Sequence, residues 1–130
     1  CSVRQVGFIR RGRAGASPDG LVGHDGSIEI KTHKPKILVP MIRGLMRGDE
    51  KAIAKHRPQI QGNLWASGRE WIDLVGYWPK LPLLVHRVYR DEPFIAELEL
   101  AIASFNELVD EIVDDVLRYG EHGVLPIAAE

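Results

Sequence analysis

Two carboxylates and one ammonium stand close together in the first quarter of the sequence and have the chemistry to hold a divalent metal. Asp19 lies in S-P-D-G-L-V-G, and Glu29 and Lys31 follow ten and twelve positions later in I-E-I-K. A β-strand points alternate side chains to one face, so Glu29 and Lys31 share a face while Ile30 points to the other, where it can be buried. Two hard oxygen ligands beside a lysine are typical of a Mg²⁺-dependent phosphodiester hydrolase.

The spacing alone does not establish this chemistry, because an acid followed by E-x-K also occurs by chance on exposed strand faces. Two local features favour the metal site. Ile28 and Ile30 are β-branched, as strand residues often are, and the H-D-G-S segment before them is typical of a hairpin turn. We therefore expect Asp19 to return to the vicinity of Glu29. The backbone carbonyl of Ile30 would complete the metal ligands, and Lys31 would position or polarise the attacking water and stabilise charge on a phosphate.

A pair of glutamines, Gln59 and Gln61, lies in H-R-P-Q-I-Q-G at the start of a predicted helix. The N-terminus of a helix offers free N–H groups to a phosphate. Two residues that are two apart do not share a helix face, so we expect only one glutamine to face the site. Glutamines on a solvated surface are the commoner alternative.

Composition places the chain among ordinary globular proteins. At 130 residues, with 45% hydrophobic and 27% charged residues, it is expected to form one domain. The net charge of −1 conceals an asymmetry. Four arginines and no acid precede Asp19, and the last third is acidic, which fits either a DNA-facing end with an acidic outer helix or two solvated surfaces. The arginines are Arg4, Arg10, Arg11 and Arg13.

Several classes of protein are disfavoured. The single cysteine excludes an intrachain disulfide and a cysteine-based zinc site, and it fits a reducing, cytoplasmic setting. No apolar run approaches the roughly 18 residues of a membrane span, and the front does not resemble a signal peptide. Because the chain begins at Cys1 and enters a strand-like pattern directly, we expect a piece of a longer protein.

Histidines and tryptophans add little to the functional interpretation. The five histidines show no H-E-x-x-H or similar ligand spacing, and His86 is expected on a sheet face. The three tryptophans have the chemistry to stack on bases, but core packing is the commoner role. These residues are His24, His33, His56, His86 and His122, and Trp65, Trp71 and Trp78.

The hydrophobic pattern predicts the order β-β-β-α-α-β-β-α, a mixed sheet with helices against it. Pro35 ends the third strand, Pro58 opens the second helix and the tail after Gly120 is expected to be loose. Residues 49–57 are polar and are expected to be helix or loop. The predicted strands are Val3–Arg11, Leu21–Val22, Ser27–His33, Trp71–Trp78 and Leu83–Tyr89, and the predicted helices are Ile37–Arg47, Gln59–Ala66 and Phe94–Tyr119.

The combination of segments resembles a known family. S-P-D-G-L-V-G, I-E-I-K, Q-I-Q-G-N-L-W-A-S-G-R-E-W and R-V-Y-R-D-E-P-F-I are similar to motifs of the lambda-type phage alkaline exonucleases, also called YqaJ-like viral recombinases. These belong to the PD-(D/E)xK nucleases, and the resemblance covers about Val6 to Val113. It implies an α/β fold with a restriction-endonuclease-like core, a mixed central β-sheet flanked by α-helices.

The resemblance also implies an activity and a set of site residues. The expected activity is digestion of linear double-stranded DNA from 5′ ends in phage-type recombination, with Mg²⁺ as cofactor and Mn²⁺ as a possible substitute. Asp19 and Glu29 match the metal-binding acids, Ile30 the carbonyl ligand, Lys31 the catalytic lysine and Gln59 the first glutamine of the family's Q-x-Q element. Ser17 also matches, with a structural role in the turn.

Partners and departures follow from the same resemblance. Expected partners are double-stranded DNA, a single-strand annealing protein and further copies in a homotrimer, in the cytoplasm of a bacterial host and with no membrane. Family members carry an N-terminal helical part with another acid and a phosphate-contacting arginine, and no acid precedes Asp19 here. We therefore interpret residues 1–130 as a single nuclease core domain. The alternatives are a PD-(D/E)xK endonuclease of restriction or repair type, or a truncated DNA-binding module without activity.

Overall fold

The computed structural model of the chain describes residues 2–122. The chain divides into two compact units, Cys1–Ala96 and Glu97–Glu130. The predicted loose tail lies outside the described residues from position 123 onward.

The first unit is built on a five-stranded sheet with the order β1-β4-β5-β6-β7. Neighbouring strands pair antiparallel except β5 and β6, which pair in parallel from Gly26↔Trp71 to Thr32↔Tyr77. A parallel pair requires a long crossover, and the helical segments between β5 and β6 supply it. The strands of this sheet are β1 Val3–Arg4, β4 Gly20–Val22, β5 Gly26–Thr32, β6 Trp71–Tyr77 and β7 Leu84–Tyr89.

The prediction of one continuous first strand over Val3–Arg11 was wrong. β1 pairs with β4 in the main sheet, whereas β2, Ile9–Arg11, pairs with β3, Ala14–Ala16, in a separate two-stranded sheet. Gly12 has φ +62° in the turn between β2 and β3, a conformation that glycine adopts without strain. The hydrophobic pattern did not show β3, the second strand of this hairpin.

Three helical segments connect β5 to β6. They are α1 Pro35–Leu45, a 3₁₀ helix Glu50–His56 and α2 Arg57–Ser67. Proline stands in the first turn of both α-helices, where its missing N–H costs nothing. α1 also contains Pro40 in its interior, so the predicted helix forms despite that residue. Gly68 ends α2 in a left-handed conformation with φ +68° and donates its N–H to Leu64 O at 3.0 Å.

The core lies between these helices and one face of the sheet. Ile72 and Leu74 of β6 are fully buried against apolar residues of α1, α2 and the 3₁₀ helix. The opposite face of β5 carries Ile30, which is 50% exposed, so the expectation that Ile30 can be buried was wrong. The buried cluster is Leu38, Met41, Ile53, Ile60, Leu64, Ile72, Leu74 and Leu84.

The second unit contains most of α3, which runs from Glu92 to His122. Before the helix, Asp91 accepts a hydrogen bond from the N–H of Phe94 at 3.1 Å, which satisfies one of the free donors of the first turn. The predicted helix, Phe94–Tyr119, is confirmed and is slightly longer than expected. Within residues 2–122 no helix has the length and apolar character needed to cross a membrane.

Candidate active site

The hairpin formed by β4 and β5 explains the spacing of the two carboxylates. Its register pairs Gly20 with Ile28 and Val22 with Gly26, which leaves a loop of residues 23–25. Asp19, one residue before Gly20, therefore lies opposite Glu29. An Asp19 oxygen, Oδ2, accepts the backbone N–H of Ile30 at 2.6 Å. The ten-residue interval is thus the length of chain that brings two acids side by side at the open end of this hairpin.

The turn that carries Asp19 is held in place on both sides. Pro18 is fully buried, whereas Asp19 is exposed. The hydroxyl of Ser17 donates to the carbonyl of Gly7 at 3.3 Å, which places Ser17 in a structural contact. The ring of Pro18 fixes its own φ angle and anchors the turn in the interior immediately before Asp19.

Glu29 is the buried member of the site and accepts hydrogen bonds on both carboxylate oxygens. The side chain is only 5% exposed. Lys31 Nζ and Gln59 Nε2 both lie 2.7 Å from Oε1, and Asn63 Nδ2 lies 3.0 Å from Oε2. Lys31 Nζ also donates to Gln59 Oε1 at 2.8 Å. A buried carboxylate is costly unless it is paired and hydrogen-bonded, and these three donors satisfy that condition.

The two glutamines of α2 point in different directions, as the helical period requires. Gln59 contacts Glu29 and Lys31. Gln61, which is 1% exposed, donates to Tyr89 O and accepts from the N–H of Asp91, both at 2.9 Å. Gln61 therefore joins α2 to the end of β7 and lies away from the carboxylates.

Asn63 is a residue of this site that the sequence interpretation missed. It is 3% exposed and stands four positions after Gln59, on the same face of α2. The two amides therefore reach the two oxygens of Glu29 from successive turns of one helix. The i, i+4 spacing of Gln59 and Asn63 was visible in the sequence. Only the packing of α2 on β5 shows that both side chains contact Glu29.

The backbone of Ile30 faces the same side as Asp19. In a strand, the N–H and C=O of one residue point to the same neighbour. Because the N–H of Ile30 reaches Asp19, its carbonyl also points toward the open end of the hairpin, where β4 no longer pairs with β5. Asp19 and this carbonyl therefore lie along the same edge of β5, and Glu29 is the neighbour of Ile30 in the chain.

A cleft of about 320 Å³ opens beside these residues. Gln59 and Asn63 form one wall, and Gly15, Ala16 and Ser17 form the other. The hairpin of β2 and β3 therefore borders the cleft. A larger cavity of about 680 Å³ lies among the 3₁₀ helix, the start of α2 and the end of β7, and it includes none of the predicted site residues.

Three of the four arginines that precede Asp19 lie on this hairpin, whereas Arg4 belongs to β1 of the main sheet. Arg10 and Arg11 belong to β2, and Arg13 lies in the turn before β3. Arg11 donates to Trp65 O at 2.8 Å, and its guanidinium lies 5.0 Å from the centre of the Trp65 ring. Trp65 is 7% exposed, which agrees with the predicted core role. Positive charge therefore lies on the element that forms one wall of the cleft.

His33 and His56 form a contact next to the site. The backbone of His33 extends β5, since its N–H donates to Tyr77 O at 3.2 Å. Burial lowers the pKa of His56 to about 4, with smaller contributions from the charges of Lys55, His33 and Lys31. Burial also lowers the pKa of His33, again with help from Lys55 and Lys31. Both imidazoles are therefore neutral near pH 7.

The other histidines lie elsewhere. His24 stands beside Asp25 in the β4–β5 loop, and His86 of β7 lies 3.1 Å from Glu50 Oε1. The side chain of His122 lies outside the described residues. Within residues 2–122 no group of three or more His, Cys, Asp or Glu side chains could hold a metal ion.

Comparison with solved structures shows which known protein this fold is similar to. No protein-family model matches the chain, and no curated protein matches it significantly. An alkaline exonuclease from Laribacter hongkongensis, LHK-Exo, matches with a TM-score of 0.80 and 31% sequence identity over 93% of this chain. The structure of LHK-Exo in complex with dAMP matches with a TM-score of 0.78 at the same identity. The resemblance to the alkaline exonucleases is confirmed.

The predicted fold class is confirmed with it, a mixed β-sheet with helices in the architecture of an alkaline exonuclease. The chain spans 63% of the length of that alkaline exonuclease. The roles assigned to Asp19, Glu29, Ile30, Lys31 and Gln59 stay predictions. The structure brings all five together at one end of β5 and the start of α2.

Proposed function

We propose that this chain is the catalytic core of a Mg²⁺-dependent exonuclease that degrades linear double-stranded DNA from 5′ ends in phage-type recombination. The observation that supports this most is the convergence of Asp19, Glu29, Lys31 and Gln59 within an alkaline exonuclease fold. A chance E-x-K sequence on a strand would not be expected to place a buried glutamate, a lysine and a glutamine of a distant helix in one hydrogen-bonded group.

The donor set fits a Mg²⁺ ion. Asp19, Glu29 and the carbonyl of Ile30 offer hard oxygens only, which Mg²⁺ prefers. Two carboxylates are also the usual protein contribution to a Mg²⁺ site, since water and substrate phosphates complete the octahedron. A carboxylate has about four lone-pair sites, so the hydrogen bonds to Asp19 and Glu29 leave room for a metal. When bound, the ion would neutralise phosphate charge and lower the pKa of a coordinated water.

Lys31 and Gln59 would prepare the site for the phosphate. The ammonium of Lys31 has three N–H donors, and bonds to Glu29 and Gln59 use two of them. The third can contact a phosphate oxygen or the attacking water and stabilise negative charge that develops there. Gln59 holds both Lys31 and Glu29 through its single amide, and therefore fixes the distance between the cation and the metal-binding acid.

The cleft beside the site would receive the DNA. Its walls are α2, which contributes the side chains of Gln59 and Asn63, and the arginine-bearing hairpin of β2 and β3. Arginine side chains are among the groups that bind phosphates. This arrangement accounts for the basic first segment without invoking the acidic residues of α3.

Digestion of end-labelled linear duplex DNA tests the proposal. We expect Mg²⁺-dependent release of 5′ label, none in EDTA, and none with Glu29→Ala. Glu107→Ala provides a matched control, since Glu107 is an exposed carboxylate of α3 within the second unit. Release of a 3′ label before a 5′ label would contradict digestion from 5′ ends. Cleavage of closed circular DNA at a similar rate would favour the endonuclease alternative.

A folded chain that binds DNA without cutting it, in a salt-sensitive manner, would favour the DNA-binding alternative. The single-strand annealing partner, the homotrimer, the bacterial cytoplasmic setting and the use of Mn²⁺ in place of Mg²⁺ stay predictions from the resemblance.

A further inference from the structure

Two imidazoles face each other at the junction of β5 and the 3₁₀ helix. The Nε2 atoms of His33 and His56 are 3.3 Å apart. Their ring centroids are 5.2 Å apart and the rings are inclined by 35°. His56 is 8% exposed and His33 is half-buried. The burial of the two rings lowers the pKa of each, and two neutral ring nitrogens at this distance can form one hydrogen bond or bind one cation together.

The two distances match those of two imidazoles on one tetrahedral metal ion. Nitrogens that each lie about 2.05 Å from Zn²⁺ and subtend the tetrahedral angle are about 3.3 Å apart. Ring centres lie about 1.1 Å behind those nitrogens, which places the centroids about 5.2 Å apart in the same geometry. A hydrogen bond between one N–H and the other ring nitrogen is the alternative arrangement at this separation.

The chemistry of the pair selects the class of ion. Neutral imidazole is a ligand for Zn²⁺, Cu²⁺ and Ni²⁺, whereas Mg²⁺ takes oxygen ligands. The burial that lowers the pKa of His33 and His56 also keeps both rings in the ligand form. The positive charges of Lys31 and Lys55 repel a metal cation, so the affinity of the two histidines for the metal is expected to be modest.

We propose that His33 and His56 form a two-histidine site for a transition-metal dication of the Zn²⁺ class, separate from the carboxylate site. Since no third His, Cys, Asp or Glu side chain within residues 2–122 joins them, water completes the coordination. His33 lies on the extension of β5, two residues after Lys31, so an occupied site would anchor the end of this strand to the 3₁₀ helix. The proposal does not depend on nuclease activity.

Zinc binding to a variant without the carboxylate site tests this proposal. The parent for the test is the full chain carrying Asp19→Asn and Glu29→Gln, titrated with ZnCl₂ by calorimetry in excess Mg²⁺, above the ordinary pKa of histidine. We expect one Zn²⁺ per chain and a rise in the melting temperature. Adding His33→Asn should weaken binding at least about tenfold, as expected when one of two ligands is lost.

Two further variants keep the test decisive. His24→Asn removes a histidine of the β4–β5 loop and should leave Zn²⁺ binding unchanged. His56→Gln should weaken binding as His33→Asn does, with circular dichroism as the check of folding. Equal Zn²⁺ affinity in the parent and in a folded His33→Asn chain would overturn the proposal, as would the absence of Zn²⁺ binding to the folded parent.

Discussion

Replacing Asn63 by alanine is expected to weaken the binding of Mg²⁺ at the carboxylate site, because Glu29 loses one of its three hydrogen-bond donors. Asn63 donates to Glu29 Oε2 at 3.0 Å from a position that is 3% exposed. A hydrogen bond to a charged group contributes about 1.5–3 kcal/mol. That figure is a contribution to the stability of the fold, and the effect on a metal site follows from the orientation that Asn63 gives to Glu29. Mutation of groups that orient a metal ligand typically costs about 10–100-fold.

The measurement is the initial rate of DNA digestion as a function of Mg²⁺ concentration. We expect the Mg²⁺ midpoint of Asn63→Ala to rise by about 10- to 100-fold. The rate at saturating Mg²⁺ should be largely retained, because Lys31 and Gln59 still hold the other oxygen of Glu29.

Gln61→Ala is the matched control for this variant. Gln61 is an equally buried amide of the same helix, but it bonds Tyr89 and Asp91 instead of Glu29. It should lower the free energy of unfolding to a similar extent and leave the Mg²⁺ midpoint unchanged. The reasoning is refuted if a folded Asn63→Ala chain keeps the wild-type midpoint, or if Gln61→Ala shifts it equally.

Four further outcomes are expected. Lys31→Ala should reduce cleavage at saturating Mg²⁺ by at least about 10²-fold; a wild-type rate would remove the lysine from the mechanism. Gln59→Ala should impair cleavage without loss of the helical circular dichroism signal. Loss of that signal would show that Gln59 is needed for folding. The pKa of His56 is lowered from 6.5 to about 4 in the fold, so the unfolded chain binds a proton more readily than the folded chain. As the pH falls from 6.5 to 4, the free energy of unfolding should therefore decrease by about 1–2 kcal/mol after allowance for solvent screening. Urea titrations at both pH values check this, and His56→Gln should flatten the profile. Gly26→Ala would place a Cβ 2.1 Å from a carbon of the Trp71 indole, so it should destabilise the chain by about 1–3 kcal/mol; an unchanged melting temperature would contradict the packing.

Local patterns in the sequence were enough to predict much of the architecture. The β-branched run around Ile28 and the Asp-Gly turn predict the hairpin, and the period of two places Glu29 and Lys31 on one face. These features depend only on neighbours in the chain, which is why they can be predicted without the fold. The prediction of one first strand was wrong for the same reason. Val3 pairs with Val22 in the main sheet and Ile9 pairs with Ala16 in the small sheet, so the segment is divided between two sheets.

What the sequence by itself determined is the interval between Asp19 and Glu29, since the length of a hairpin sets the position opposite each residue. Only the tertiary structure decided which residues complete the site. Asn63 reaches Glu29 because β5 and β6 pair in parallel, and the crossover between them packs α2 over the strand. His33 and His56 meet through the same crossover, across a separation along the chain that no local period encodes.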